Sequence, residues 1–302
     1  WISLGGANYV GVGTHLKMYI SQGGAYYDVT PLRATTSAGD VTFSATNGQS
    51  TITVTDSSHE ALVNDFVTFS GAVTLNGNIT ASVLNQNYQI LTTPNANSYT
   101  ISAKDTSGNT VTASASDNGN GGGSVVGAYE IAVGYSIAVP IVGWGAGNFG
   151  DGTWGNGTTS ASSLRLWSQS TFGEDLLFAP RGGALYRWDA SAGLGARAVL
   201  VSSLGGASNV PTITNMILIS DTSRFVFCLG ANTLGTAAQD PLLIRWSDQE
   251  SLVNWTPAAT NQAGSIRLSQ GSSIITARQS RQEILVWTDS SLYALQYVGA
   301  PI

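Results

Sequence analysis

The chain has 302 residues, of which 10% are charged and 42% apolar, and it carries a net charge of −6. That length can bury one large core or two smaller ones, while the charged fraction falls well below the roughly 25% typical of soluble domains. No apolar run approaches the ~18 residues that span a bilayer, no basic segment precedes a signal-like stretch, and the acidic balance argues against a groove that grips phosphates with clustered Lys and Arg.

The charge is unevenly placed. Residues 1–160 hold nine acids against three bases (Lys17, Arg33 and Lys104), and residues 161–302 hold nine of each, every base an Arg. The acidic half reads first as a solvated face; it is also compatible with a conduit along which nucleic acid slides without sticking. Cys228 is the single cysteine and lies in the apolar run Arg224–Leu229, which reads as a buried strand. It leaves the redox compartment undecided.

Taken in chain order, the sequence begins at Trp1 on strand-like residues and ends at Tyr297–Ile302 with no polar tail, as expected of an ordered segment cut from a longer polypeptide. Tyr9–Pro31 predicts a strand pair about Gly23-Gly24. Alternation at His15–Ile20, Gln49–Thr55, Asp65–Ser70, Tyr88–Leu91, Ser98–Ala103 and Gly127–Val133 predicts further strands. Turn pairs such as Asn47-Gly48, Asn76-Gly77 and Ser107-Gly108 separate them. Between Ala34 and Ser124 aromatics are scarce and Arg is absent, so residues 34–124 read as a small β-sandwich or barrel inserted into the body. Asp117–Ser124 has the composition of a flexible loop closing that insert. Residues 1–33 and 125–302 then make the body, which resumes at Ala128–Ile131. In Gly143–Gly157 glycine alternates with aromatics, and Trp144, Phe149 and Trp154 read as packing or partner-contact residues.

Three stretches of the second half resemble one another: Leu176–Asp189, Pro241–Asp248 and Glu283–Gly299. Each is an apolar run ending in Trp followed closely by Asp: Trp188 and Asp189, Trp246 and Asp248, Trp287 and Asp289. The tryptophans stand 58 and then 41 positions apart. Recurrence at such intervals suggests β-propeller blades of roughly 40–50 residues with inserted loops. The fold class expected is therefore all-β, a propeller-like body with an inserted β-domain. The tryptophans read as blade packing and the acids as turn caps.

Motifs with a chemical mechanism are scarce. His15 and His59 are the only histidines, and neither adjoins a nucleophile motif; HExxH, CxxC, P-loop and EF-hand patterns are absent. No catalytic, metal or cofactor site is expected. Arg165, Arg181, Arg187, Arg245 and Arg267 beside aromatic strands suit either a protein interface or ordinary packing. Ser247–Trp255 and Asp151–Trp154 partly resemble the sialidase Asp-box, Ser-x-Asp-x-Gly-x-Thr-Trp, but the first lacks the Gly and the second the Ser and the spacing.

As whole strings, GVGTHLKMYISQGGAYYDVTPLR at Gly11–Arg33, the GWGAGNFGDGTWG loop, LWSQSTFGEDLLFAPRGGALYRWD at Leu166–Asp189, Pro241–Gly271 and Arg281–Gly299 resemble the tail nozzle proteins, or tail tubular protein B, of short-tailed podovirus-type bacteriophages. Inside the insert, Ser58–Gly71 with Asn85–Gln89 and Asn97–Ile101 is similar to a small β-module common in phage tail proteins, with Asn64 where that module carries Gly before the Asp. The resemblance implies a virion protein of the phage tail: a homo-oligomeric ring of six copies below portal and adaptor, flanked by fibres or spikes. Its lumen would pass DNA without specific binding. An alternative from the enzyme class is a propeller glycosidase or depolymerase; a third is a glycan-binding tail module.

Overall fold

The structure, a computed structural model, describes residues 1–131, 166–221 and 223–299. The described residues are nearly all strand and turn, and the chain is an all-β protein. They group into two compact units: residues 1–31 with 166–299, and residues 32–131.

The chain opens on β1 (Val10–Gly13), β2 (Met18–Gln22) and β3 (Ala25–Asp28), an antiparallel sheet in that order. Gly23 and Gly24 join β2 to β3 with φ of 59° and 85°, the double left-handed turn whose twist matches a hairpin and which glycine enters without steric cost.

The unit of residues 32–131 follows. Its strands are β4 (Leu32–Thr35), β5 (Thr42–Ala45), β6 (Thr51–Thr55), β7 (Phe66–Ser70), β8 (Asn87–Gln89), β9 (Thr92–Asn95), β10 (Ser98–Ser102), β11 (Asp117–Asn120) and β12 (Val126–Glu130), with one helical turn, α1 (Ala81–Leu84), capped by Thr80. Two sheets result, ordered β11-β5-β6-β10-β9 and β4-β12-β7-β8. Alternation does the work: Ile52 and Val54 of β6 turn inward while Thr51 and Thr55 face solvent. The two inner faces share one core that includes Phe43, Ile52, Tyr99, Phe69, Tyr88 and Tyr129, and Phe43 meets Phe69 edge-on at 4.9 Å.

Two expectations change here. Asp117–Ser124 does not begin as a free loop, because β11 pairs with β5 and the buried Asp117 carboxylate accepts from Asn76 N at 3.0 Å. Nor does the body resume at Ala128: β12 pairs with β4 and β7, and Tyr129 packs into this unit's core. An aromatic strand read as body in the sequence supplies core to the smaller unit.

The connection between β6 and β7 holds three non-glycine residues at positive φ, Ser58, Glu60 and Asn64, the last at 75°. Asn tolerates that conformation better than other non-glycine side chains, so Asn64 holds this turn at little cost. Asn64→Gly is expected to leave stability within a few tenths of a kcal/mol, and Asn64→Ala to cost about 1 kcal/mol, read as shifts in the urea midpoint.

The remaining strands are β13 (Trp167–Phe172), β14 (Asp175–Pro180), β15 (Tyr186–Trp188), β16 (Val199–Leu200), β17 (Met216–Ile219), β18 (Val226–Leu229), β19 (Leu243–Trp246), β20 (Gly264–Arg267), β21 (Ile274–Gln279), β22 (Ile284–Thr288) and β23 (Leu292–Leu295). They form three antiparallel meanders: β13-β14-β15-β16, β17-β18-β19-β20 and β21-β22-β23. With β1-β2-β3 the larger unit holds four sheets, and hydrogen bonds or shared cores join each to the next within the unit. Their first strands stand in a row. Gln169 of β13 donates to Gly11 O of β1 at 3.0 Å, Ile217 N of β17 donates to Ser168 Oγ of β13 at 2.9 Å, and Thr276 of β21 reaches Met216 Sδ of β17 at 3.8 Å. At Gly13, which ends β1, a Cβ would run into the Trp167 ring, so glycine permits the first approach.

The β17–β20 sheet is buried on both faces. Ile217, Ile219, Val226 and Cys228 enter a core shared with Leu177, Ala179 and Trp255; Leu218, Leu229 and Ile244 enter another with Ile274, Ala277 and Val286. Continuous apolar runs such as Met216–Ile219 follow from that double burial. Among the described residues the sheets remain separate and no closed barrel forms.

The apparent threefold repeat is partly out of phase. Trp188 and Trp246 end the third strands of their sheets, β15 and β19, but Trp287 lies on β22, the second strand of its own. β22 corresponds in position to β14 and β18. The short interval of 41 residues therefore reflects a shift by one strand within the sheet.

Candidate functional site

Each acid of the three Trp–Asp pairs holds a connection. Asp189 follows β15 and caps the turn Ala190–Ala192, accepting from Ser191 N at 2.9 Å and Ser191 Oγ at 2.6 Å; Arg187 pairs with it at 2.9 Å and with Asp175 at 2.7 Å. Asp248 accepts from Gln249 N and Gln262 N, both at 2.9 Å, fastening the loop after β19 to the start of β20. Asp289 accepts from Ser272 N at 2.8 Å and from the Ser272 hydroxyl, tying the end of β22 to the turn before β21. Hydrogen bonds from Ser191 and Ser272 are the leading reasons that Asp189 and Asp289 sit below the usual carboxylate range.

A depressed folded pKa stabilises above the unfolded value and loses that contribution as pH falls through the folded one. Asp289→Asn is accordingly expected to narrow the stability difference between pH 7 and pH 3, measured by thermal midpoints across the acid limb.

The tryptophans differ. Trp188 is fully buried, Trp246 is half-buried with its Nε1 donating to Gln262 O at 2.7 Å, and Trp287 is half-buried in β22. Trp144, Phe149 and Trp154 lie outside the described residues, as do Arg165 and the Asp151–Trp154 turn. The other singled-out arginines are divided. Arg187 and Arg267 pair with acids, Arg267 with Asp240 at 2.6 Å, whereas Arg245 is buried against backbone carbonyls. Among the described residues no group of three His, Cys, Asp or Glu is placed to hold a metal ion. Burial pushes the Cys228 thiol up to about 12, which keeps it from acting as a nucleophile near neutral pH.

The larger unit carries several recesses, two of them beside the row of sheets. One, about 650 Å³, runs along the row of first strands and is lined by Gln169, Ser170, Arg181, Asp221, Arg278 and Gln279. The other, about 560 Å³, opens between the β17–β20 and β21–β23 sheets. Its walls carry Phe225, Phe227, Trp246 and Tyr297. Phe225 meets Tyr297 edge-on at 5.3 Å, and the Tyr297 hydroxyl donates to Gln262 Oε1 at 2.7 Å. Gln279 lines it too, and its Oε1 is buried without a partner among the described residues. Sequence reading found Trp246 but not this cleft. The aromatics come from three separate segments, and only the packing of two sheets brings them together.

No protein-family model matches the chain, and no curated protein matches it. Among solved structures it is similar to the endosialidase of phage phi92, at 13% identity and a TM-score of 0.24 over 93% of this chain. The chain spans 41% of that protein's length. A superposition that loose leaves the assignment to the chain's own residues.

Proposed function

We propose that the chain is a structural component of a bacteriophage tail, the wall of a homo-oligomeric nozzle ring that passes DNA and docks portal, adaptor and fibre or spike proteins. The observation that carries this reading is the row of four first strands with their sheets joined in chain order, a geometry that builds a thick wall from local contacts. The likeness of Gly11–Arg33, Leu166–Asp189, Pro241–Gly271 and Arg281–Gly299 to tail nozzle strings supports it. So does the acidic balance of −6, which in a lumen repels phosphates and keeps the genome from sticking. The reading assigns no catalytic step: the paired acids are already committed to backbone and serine donors. Electron microscopy of the purified protein and of tails provides the test. Rings that occupy the tail below the adaptor are expected; a stable monomer absent from tails would sink the proposal.

The cleft walled by Phe225, Phe227, Trp246 and Tyr297 favours a second reading, a glycan-binding tail module. Aromatic faces suit the apolar faces of a sugar ring, and the neighbouring amides of Gln262, Gln279 and Gln282 suit its hydroxyls. Titration with neutral oligosaccharides, followed by tryptophan fluorescence, separates the two: saturable binding without release of reducing ends supports the module.

A further inference from the structure

We propose that the recess over Arg245 is an oxyanion site, built to take the carboxylate or phosphate group of a small ligand. Arg245 lies on β19 opposite Cys228 of β18 and is 2% exposed. Its guanidinium donates to two backbone carbonyls, Asn209 O at 2.5 Å and Asn232 O at 3.3 Å, and pairs with no carboxylate among the described residues. Arg187, Arg197 and Arg267 of the same unit each hold an acid. A buried cation without a counter-charge is costly, and carbonyl dipoles compensate only part of it. Burial accordingly pulls the Arg245 pKa below its ordinary value.

The recess is about 350 Å³, the lower end of the range for small-molecule sites, with Arg245 among its lining residues. No acid lines it. Asn232 is spent on structure, accepting from Thr212 N at 2.9 Å and donating to Thr236 O at 2.7 Å. Ser202 and Thr212 line the same recess, and among the described residues neither side chain makes a hydrogen bond, which leaves their hydroxyls free to donate. Asn209, whose carbonyl accepts from Arg245, adopts φ of 53°, a left-handed conformation that Asn enters readily. A planar guanidinium with donors to spare, in a recess that Ser202 and Thr212 also line, matches two oxygens of one anionic group. A neutral ligand would leave the charge uncompensated. A nucleic-acid strand would need several cations in line, and this recess offers one.

The Nε–H resonance of Arg245 in the whole protein, assigned by its loss in Arg245→Lys, reports the site directly. Titration with acetate and with inorganic phosphate is expected to shift it saturably, while chloride at matched ionic strength does not. The arm that saturates first names the class of group. Ser202→Ala combined with Thr212→Val, both at exposed positions, is expected to weaken that binding about fivefold while leaving the thermal midpoint in anion-free buffer unchanged. A shift that is absent, or linear and shared with chloride, overturns the proposal. Unchanged affinity in the double variant overturns it as well.

Discussion

Trp188→Ala is expected to lower stability by about 3–5 kcal/mol, the range for emptying a buried aromatic site. Trp188 is fully buried at the end of β15, cross-strand from Leu176, and two rings stand edge-on to it: Tyr9 at 5.4 Å and Trp1 at 6.4 Å. The cavity would therefore open where the first sheet packs on the second. For a unit of this size the loss corresponds to a fall of about 10 °C in the thermal midpoint. Trp287→Ala removes a half-buried ring and is expected to cost about 1–2 kcal/mol. The contrast tests the phase difference between the motifs. Equal losses at the two positions would show that Trp188 and Trp287 are equivalent blade residues after all. Trp188→Phe is expected to fall between them, since it leaves a smaller cavity and removes an indole N–H that is buried without a partner among the described residues.

The strand inventory was legible because its signals are local. Gly23-Gly24 marks a turn wherever it is read, and the alternation in Gln49–Thr55 and Ser98–Ala103 survives into β6 and β10. What was illegible depends on partners distant in sequence. Val126–Glu130 carries the same aromatic pattern as a body strand, and only its pairing with Leu32–Thr35, across some ninety residues, assigns it to the smaller unit. Asp117–Ser124 has a loop's composition because glycine conceals the fact that Asp117 is buried against Asn76. The Trp–Asp motif misled in a similar way. A strand ending in Trp and Asp looks alike as the second or third strand of a meander, and order within the sheet is not written in the strand itself.

The sites follow the same division. The turn-holding roles of Asp189 and Asp289 involve neighbours two and seventeen residues away, so composition hinted at them. Arg245 stood in a suggestive run, but its want of an acidic partner is a negative fact about three dimensions. The aromatic cleft needed Phe225, Trp246 and Tyr297 from strands and ends that only sheet packing brings together.

Tyr129→Phe is expected to cost about 2–3 kcal/mol, although it removes a single oxygen. In the core of the smaller unit the Tyr129 hydroxyl donates to the Asp56 carboxylate, and Tyr99 Oη lies 2.8 Å from Tyr129 Oη. A carboxylate only accepts, so the Tyr129 proton points to Asp56 and the Tyr99 hydroxyl donates in turn to Tyr129. The Arg33 guanidinium stands 4.9 Å from the centre of the Tyr129 ring, placing a cation over the relay. Burial, the leading cause for both phenols, raises their pKa far above the ordinary value, so the relay keeps its protons across the working pH range. Phenylalanine at 129 would strand two groups at once, the 4% exposed Asp56 and the fully buried Tyr99. Removing the acceptor as well changes the sum. In Tyr129→Phe with Asp56→Leu no charge is left without its donor, and the double variant is expected to cost less than the two single losses added together, by at least about 1 kcal/mol. Urea unfolding of the four proteins closes the cycle. Strict additivity would mean that Tyr129 and Asp56 act independently and that the chain of hydroxyls is only a by-product of packing.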